Sequence, residues 1–66
     1  MRLRRHRLRT IHVEILDRQL AEARAISRAI AAGARWADVR SSEQILDPDS
    51  GRSVWEVVLA VPRRRK

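Results

Sequence analysis

The chain has 66 residues, no cysteine and a formal net charge of +7. A chain of this length forms at most one domain, and it buries only roughly 60% of the surface of its unfolded state, so it is marginally stable alone. The composition excludes disulfides and cysteine-ligated metal centres, and no apolar run reaches the roughly 18 residues that a transmembrane helix needs.

The first predicted element is a strand over residues 10–15. Ile11, Val13 and Ile15 alternate there with polar residues. A period of two is typical of a strand with one buried face. The strand can extend back through Leu8 into the arginines that precede it.

A helix is predicted next, from Asp17 to Gly33. Asp17 is a candidate N-cap, Glu22 favours the positive end of the helix dipole, and Gly33 is a natural stop. Apolar residues three or four apart predict one buried face: Leu16, Leu20, Ala23, Ile26 and Ile30. The opposite side carries small residues, which either fill exposed positions or let another subunit approach: Ala21, Ala25, Ala29 and Ala32.

Two more strands are predicted, joined by a turn. Residues 35–46 show no helical stripe, and Ala37 and Val39 alternate with the residues between them. Residues 47–51 read Asp-Pro-Asp-Ser-Gly, which is a concentrated turn sequence. Residues 52–61 are the most β-prone stretch of the chain, and Pro62 ends it because proline cannot donate to a ladder.

The order of these elements predicts an α+β fold, a small β-α-β-β domain with a three-stranded sheet and one helix on one face. The last strand is apolar on both sides, which suits a central position, so the expected strand order is 2-3-1. One helix leaves the other sheet face bare, and bare apolar faces usually find a partner. We therefore expect a homo-oligomer that associates through the open sheet face or the small-residue side of the helix: Val54, Val58 and Ala60, or Ala21, Ala25 and Ala29.

The positive charge is concentrated at the two ends of the chain. Residues 1–9 form a basic arm and residues 62–66 form a basic tail. Together these two segments contain nine cations and no acid. The body, residues 10–61, has six arginines and eight carboxylates, which give it a net charge of −2. If the last strand runs antiparallel to the first, both ends leave the sheet at one edge. Arginine matches phosphate oxygens in a bidentate manner, so the pattern predicts an accessory protein that binds DNA or RNA. The residues expected to contact phosphates are Arg2, Arg4, Arg5, Arg7, Arg9, Arg63, Arg64, Arg65 and Lys66.

Other interpretations of the two ends stay open. They can be solvated tails that keep the protein soluble, or they can bind acidic partners within a larger assembly or an anionic membrane surface. The arginine-rich beginning lacks the apolar stretch of a signal peptide, so we expect a cytoplasmic protein.

Trp36 and Trp55 are the only aromatic residues. Trp55 shares a strand face with valine and leucine, which predicts packing in the core. Trp36 shares a face with charged residues and is a candidate for stacking on a base or a planar ligand. Residues 36–39 (Trp-Ala-Asp-Val), the following hairpin and residues 56–61 (Glu-Val-Val-Leu-Ala-Val) resemble the dodecins, small β-α-β-β proteins that assemble as hollow dodecamers. The resemblance implies flavin stacked on Trp36.

No constellation of polar residues predicts an enzyme. His12 and Glu14 lie two apart on a strand, where such a pair is usually solvated, and Asp47 and Asp49 belong to a turn sequence that lacks the spacing of a calcium loop. We expect no catalytic residue, no metal and, apart from the flavin of the alternative interpretation, no cofactor.

Overall fold

The computed structural model describes residues 6–63, which form a three-stranded antiparallel sheet with one helix against one face. In chain order the elements are β1 (His6–Val13), α1 (Arg18–Ala31), β2 (Asp38–Leu46) and β3 (Ser53–Pro62). The strand order is β1-β3-β2, and β3 is antiparallel to both neighbours. The predicted α+β class and strand order are confirmed.

β3 is central because it is apolar on both faces. Its residues Val57, Leu59 and Val61 are buried beneath the helix and form the core together with Ile11 and Val13 of β1. β1 begins four residues before the predicted strand and ends two residues before its predicted end. Pairing with residues Trp55 to Pro62 of β3 sets these limits.

The helix packs on the sheet with the face opposite to the predicted one. Ala21, Ala25 and Ala29 have no exposed surface and lie in the core, whereas Leu20 is 55% exposed. Leu16 is 92% exposed and precedes the helix altogether. The sheet already supplies branched side chains, so three methyl groups fill the remaining space between helix and sheet. The predicted buried face is therefore wrong except at Ile26, which is half-buried and packs against the core. The use of the alanine side as a subunit surface is wrong as well.

The helix ends where the sequence predicts, with the geometry that glycine allows. Gly33 has φ +112°, its N–H donates to the Ile30 carbonyl at 2.9 Å, and the Ala34 N–H donates to the Ala29 carbonyl at 3.0 Å. These two bonds are a Schellman motif. At the other end, Asp17 occupies the N-cap position without a side-chain cap hydrogen bond. The cap predicted from its side chain is therefore absent.

The turn between β2 and β3 is confirmed. The Asp47 carboxylate accepts hydrogen bonds from the Ser50 hydroxyl at 2.8 Å and the Ser50 N–H at 3.1 Å. The Gly51 N–H donates to the Asp47 carbonyl at 2.7 Å, and Gly51 has φ +73°. Farther along β2 the register shifts between Val39 and Ser41, which marks a bulge.

The open sheet face is less bare than the sequence indicates. Val54 and Ala60 are buried and Val58 is half-buried, because residues of both outer strands flank them. Leu8 and Asp38, for example, are the partners of Ala60 in the two ladders. The expectation that all three residues face water is wrong, and self-association stays a prediction. Within residues 6–63, no helix has the length and apolar character to cross a membrane.

Candidate nucleic-acid interface

Both ends of the described chain leave the sheet at the same edge. The ladder between β1 and β3 starts with the pairs His6–Pro62 and Arg7–Val61, and paired strands lie about 4.8 Å apart. The antiparallel geometry expected from the sequence is therefore present. Six of the predicted phosphate contacts lie outside the described residues: Arg2, Arg4, Arg5, Arg64, Arg65 and Lys66.

An open cleft of ≈ 320 Å³ lies at this edge. The end of helix α1 and the segment after it, residues 32–34, form one side, and Val61 and Pro62 contribute to the other. Four cations line it, and we call this group the arginine cleft: Arg7, Arg9, Arg35 and Arg63.

The local structure explains why these arginines meet. Arg7 and Arg9 pair with Val61 and Leu59, so the pleat places them on the same sheet face as the helix. Farther along β1, the helix covers Ile11 and Val13 on that face. The helix ends at Ala31. The arginines therefore occupy the part of the face that the helix does not cover.

Three of the four cleft arginines have no side-chain partner among the described residues. Among residues 6–63, no hydrogen bond or ion pair involves the side chains of Arg7, Arg9 or Arg35. Asp38 is the acidic residue of the described strands that lies nearest this edge in the register, and the strand alternation puts it on the opposite face. A concavity lined by three unpaired guanidinium groups attracts polyanions.

Three of the five other arginines of the body have structural partners, whereas Arg24 and Arg40 have none within the described residues. Arg52 pairs with the Glu14 carboxylate at 3.0 Å, and Arg28 donates to the His12 carbonyl at 3.0 Å. Arg18 donates to the Ser42 carbonyl at 3.3 Å. Arg7, Arg9 and Arg35 therefore differ from Arg18, Arg28 and Arg52 by their lack of a partner within the described residues, and from Arg24 and Arg40 by their position together around one concavity.

Arg35 is the member of the cleft that the sequence analysis missed. The signal that could identify Arg35 is the topology, because the segment after the helix must lie at the end of the sheet where β1 begins. Arg35 lies two residues after the Gly33 stop and therefore arrives at the edge where the described chain begins and ends.

No known protein family, curated protein or solved structure matches this chain. The resemblance to the dodecins stays a prediction.

The two tryptophans have different environments. The Trp55 indole N–H donates to the Leu16 carbonyl at 3.4 Å, and the Arg18 guanidinium carbon lies 5.1 Å from the ring centroid. Trp55 packs against the core, as predicted. Trp36 is 40% exposed and precedes β2, which starts at Asp38, so it lies in the connection from the helix and not in the predicted strand.

The other polar candidates are engaged in separate pairs. His12 Nε2 lies 3.3 Å from the carboxylate of Glu56 across the ladder, whereas Glu14 binds Arg52. His12 and Glu14 therefore have different partners. Over the described part of the chain, residues 6–63, there is no group of three or more metal-ligating side chains.

Proposed function

We propose that this protein binds nucleic acid through the phosphate backbone, at the edge where the two ends of the described chain are paired. The observation that supports this most directly is the His6–Pro62 register, together with the arginine cleft beside it. The chain continues from this edge into Arg5 on one side and Arg64 on the other. The arginine cleft thus lies at the edge of the sheet from which the sequence continues into the basic segments.

The side chains of the cleft are better suited to binding phosphate groups than to recognising a base sequence. Guanidinium groups bind phosphate oxygens in a bidentate manner and hold their charge at every physiological pH. Contacts to phosphates fix position and supply affinity, but they carry no base information. We therefore expect the protein to bind nucleic acid without preference for a base sequence.

Binding to the phosphate backbone is recognised by the dependence of the affinity on salt concentration. Each neutralised phosphate releases counterion, so the logarithm of affinity falls with the logarithm of salt concentration, with a slope of about −0.9 per contact on duplex DNA and about −0.7 on single strands. Each cleft arginine that contacts a phosphate contributes one such increment to the slope.

The test compares two triple variants of equal net charge. The cleft variant carries Arg7→Gln, Arg9→Gln and Arg35→Gln, and the control carries Arg24→Gln, Arg40→Gln and Arg52→Gln. We expect the cleft variant to lose at least about tenfold in affinity and about two units of salt slope, with a much smaller change in the control. Equal losses in both variants would show that net charge alone matters, and the cleft would have no role.

The proposal includes self-association. The outward face of α1 carries Leu20, Ala23, Ser27 and Ile30, all of them exposed and none of them charged. An uncharged exposed face on a small, cysteine-free domain favours contact with a second copy of the chain. Pairing of two copies would also double the number of arginine clefts on one particle.

A planar ligand such as flavin is a second candidate, because Trp36 is 40% exposed while Trp55 packs against the core. Titration of riboflavin with the protein checks this candidate. Quenching of flavin fluorescence that is lost in Trp36→Ala would favour it. Unchanged fluorescence at high protein concentration would remove it.

A further inference from the structure

We infer that the nucleic acid bound at the arginine cleft is single-stranded, with one base stacked on Trp36 and the neighbouring phosphates held by Arg35 and the rest of the cleft. This inference rests on the proposed function and names its substrate class. It follows from the exposure of Trp36 next to the cleft residue Arg35 and from the concave shape of the cleft.

Arg35 and Trp36 are held outward together. Consecutive Cα atoms lie about 3.8 Å apart. On either side of the two residues, Ala34 and Ala37 pack against the core, and the Schellman motif fixes the segment at its start. Arg35 and Trp36 themselves are exposed. Arg35 lines the cleft and Trp36 is the next residue outside its lining, so a guanidinium group and an indole ring on adjacent residues are close enough to engage one nucleotide.

The shape of the cleft favours one strand over a duplex. Proteins that read duplex DNA insert a convex helix or ribbon into a groove. Here Arg7, Arg9 and Arg35 line a concavity of ≈ 320 Å³. A single backbone can follow a charged groove of this kind, whereas the bases of a duplex are stacked on one another and cannot reach an aromatic side chain.

Stacking on tryptophan also agrees with the absence of amide and carboxylate side chains from the described lining of the cleft. Its described lining consists of the four arginines with alanine, glycine, valine and proline, so no amide or carboxylate side chain lies there to read a base edge. Every base has a π-face, so stacking tolerates any sequence. Single-strand binding without sequence preference is the mode that these groups support.

The test measures dissociation constants at one salt concentration for an oligothymidylate of about 16 nucleotides and for a duplex of equal length. We expect the wild-type protein to bind the single strand more tightly. Trp36→Ala should lose about 5- to 150-fold on the single strand, the usual range for one stacked base, and much less on the duplex. Trp36→Phe should recover most of the loss, because phenylalanine keeps an aromatic face.

The outcomes separate this inference from the proposed function. If Trp36→Ala binds the oligothymidylate as the wild type does while the cleft variant is impaired, or if the duplex binds more tightly, the single-strand inference is overturned and phosphate binding stands. If the cleft variant and its control bind alike, the proposed function fails as well. Unchanged duplex binding by Trp36→Ala excludes misfolding as the cause of its loss.

Discussion

Asp47 is the side chain that organises the β2–β3 turn. The hydrogen bond from the Ser50 hydroxyl, and next the bond from the Ser50 N–H, hold the pKa of the Asp47 carboxyl below its usual value of 3.8. Both bonds favour the charged carboxylate. The turn is therefore stabilised by a group whose protonation state is coupled to folding.

This coupling predicts a pH dependence of stability. Since the pKa is lower in the folded state, the contribution of Asp47 is complete above its ordinary value and is lost as the pH falls through the folded value. We expect Asp47→Ala to lower the free energy of unfolding at neutral pH, and the difference from wild type to shrink in acid. Urea denaturation at several pH values measures it.

Asp49→Ala is the matched control for this experiment, because Asp49 occupies the same turn and its side chain accepts no hydrogen bond within the described residues. A loss for Asp47→Ala that is independent of pH would contradict the coupling. An equal loss of stability in both variants would show that the effect comes from the composition of the turn and not from the hydrogen bonds of Asp47.

At the scale of the elements, α1 shows that helical spacing does not decide which face is buried. The sequence contains two sets of residues at helical spacing, one of leucine and isoleucine and one of alanine. The larger residues were expected inside because they bury more apolar area. The structure buries Ala21, Ala25 and Ala29.

The buried alanine face predicts a difference between two identical substitutions. Ala25→Leu adds volume where no surface is exposed, so it should lower the free energy of unfolding by about 1–3 kcal/mol. Ala23→Leu, on the exposed side, should change it by less than about 0.5 kcal/mol. Urea denaturation of both variants decides which face is inside, and the reverse order would restore the expectation from the sequence.

The exposed face of the same helix predicts the oligomeric state. Leu20→Glu places a charge on the face that we assign to self-association, so the mass in solution should shift toward the monomer. Gln44→Glu introduces the same change in charge at an exposed position of β2 and should leave the mass unchanged. Sedimentation of both variants measures this. A wild-type protein that is monomeric at high concentration would contradict self-association.

The elements that could be predicted from the sequence are those with local signals. The turn at residues 47–51, the stop at Gly33 and the two-sided apolar pattern of β3 depend on neighbours along the chain. The buried helix face and the position of Arg35 depend on the space left by other elements. Arg7 and Arg9 were identified as phosphate contacts, but their place in β1 follows from pairing with β3.

At the scale of the whole molecule, the arginines of the cleft favour the binding of polyanions but lower the stability of the folded state. Arg7, Arg9 and Arg35 gather positive charge without a carboxylate partner in the described residues. Like charges that are close together destabilise the folded state, and the effect weakens as salt screens it.

The cleft variant should therefore be more stable than the wild type at low ionic strength, by roughly 0.5 kcal/mol, although it binds less well. The difference should vanish at high salt. The control variant loses the Arg52–Glu14 pair and should show no gain. Thermal unfolding at two salt concentrations measures this, and a less stable cleft variant would indicate that the arginines have a structural role.

The pairing of His6 with Pro62 has a consequence for protein engineering. Because the two ends of the sheet-forming chain are neighbours, a short linker can join them, and new termini can be opened elsewhere by circular permutation. The exposed tip at Asp49 and Ser50 is the natural place for the opening. Such a rearranged chain would hold both arginine-rich segments in one continuous loop.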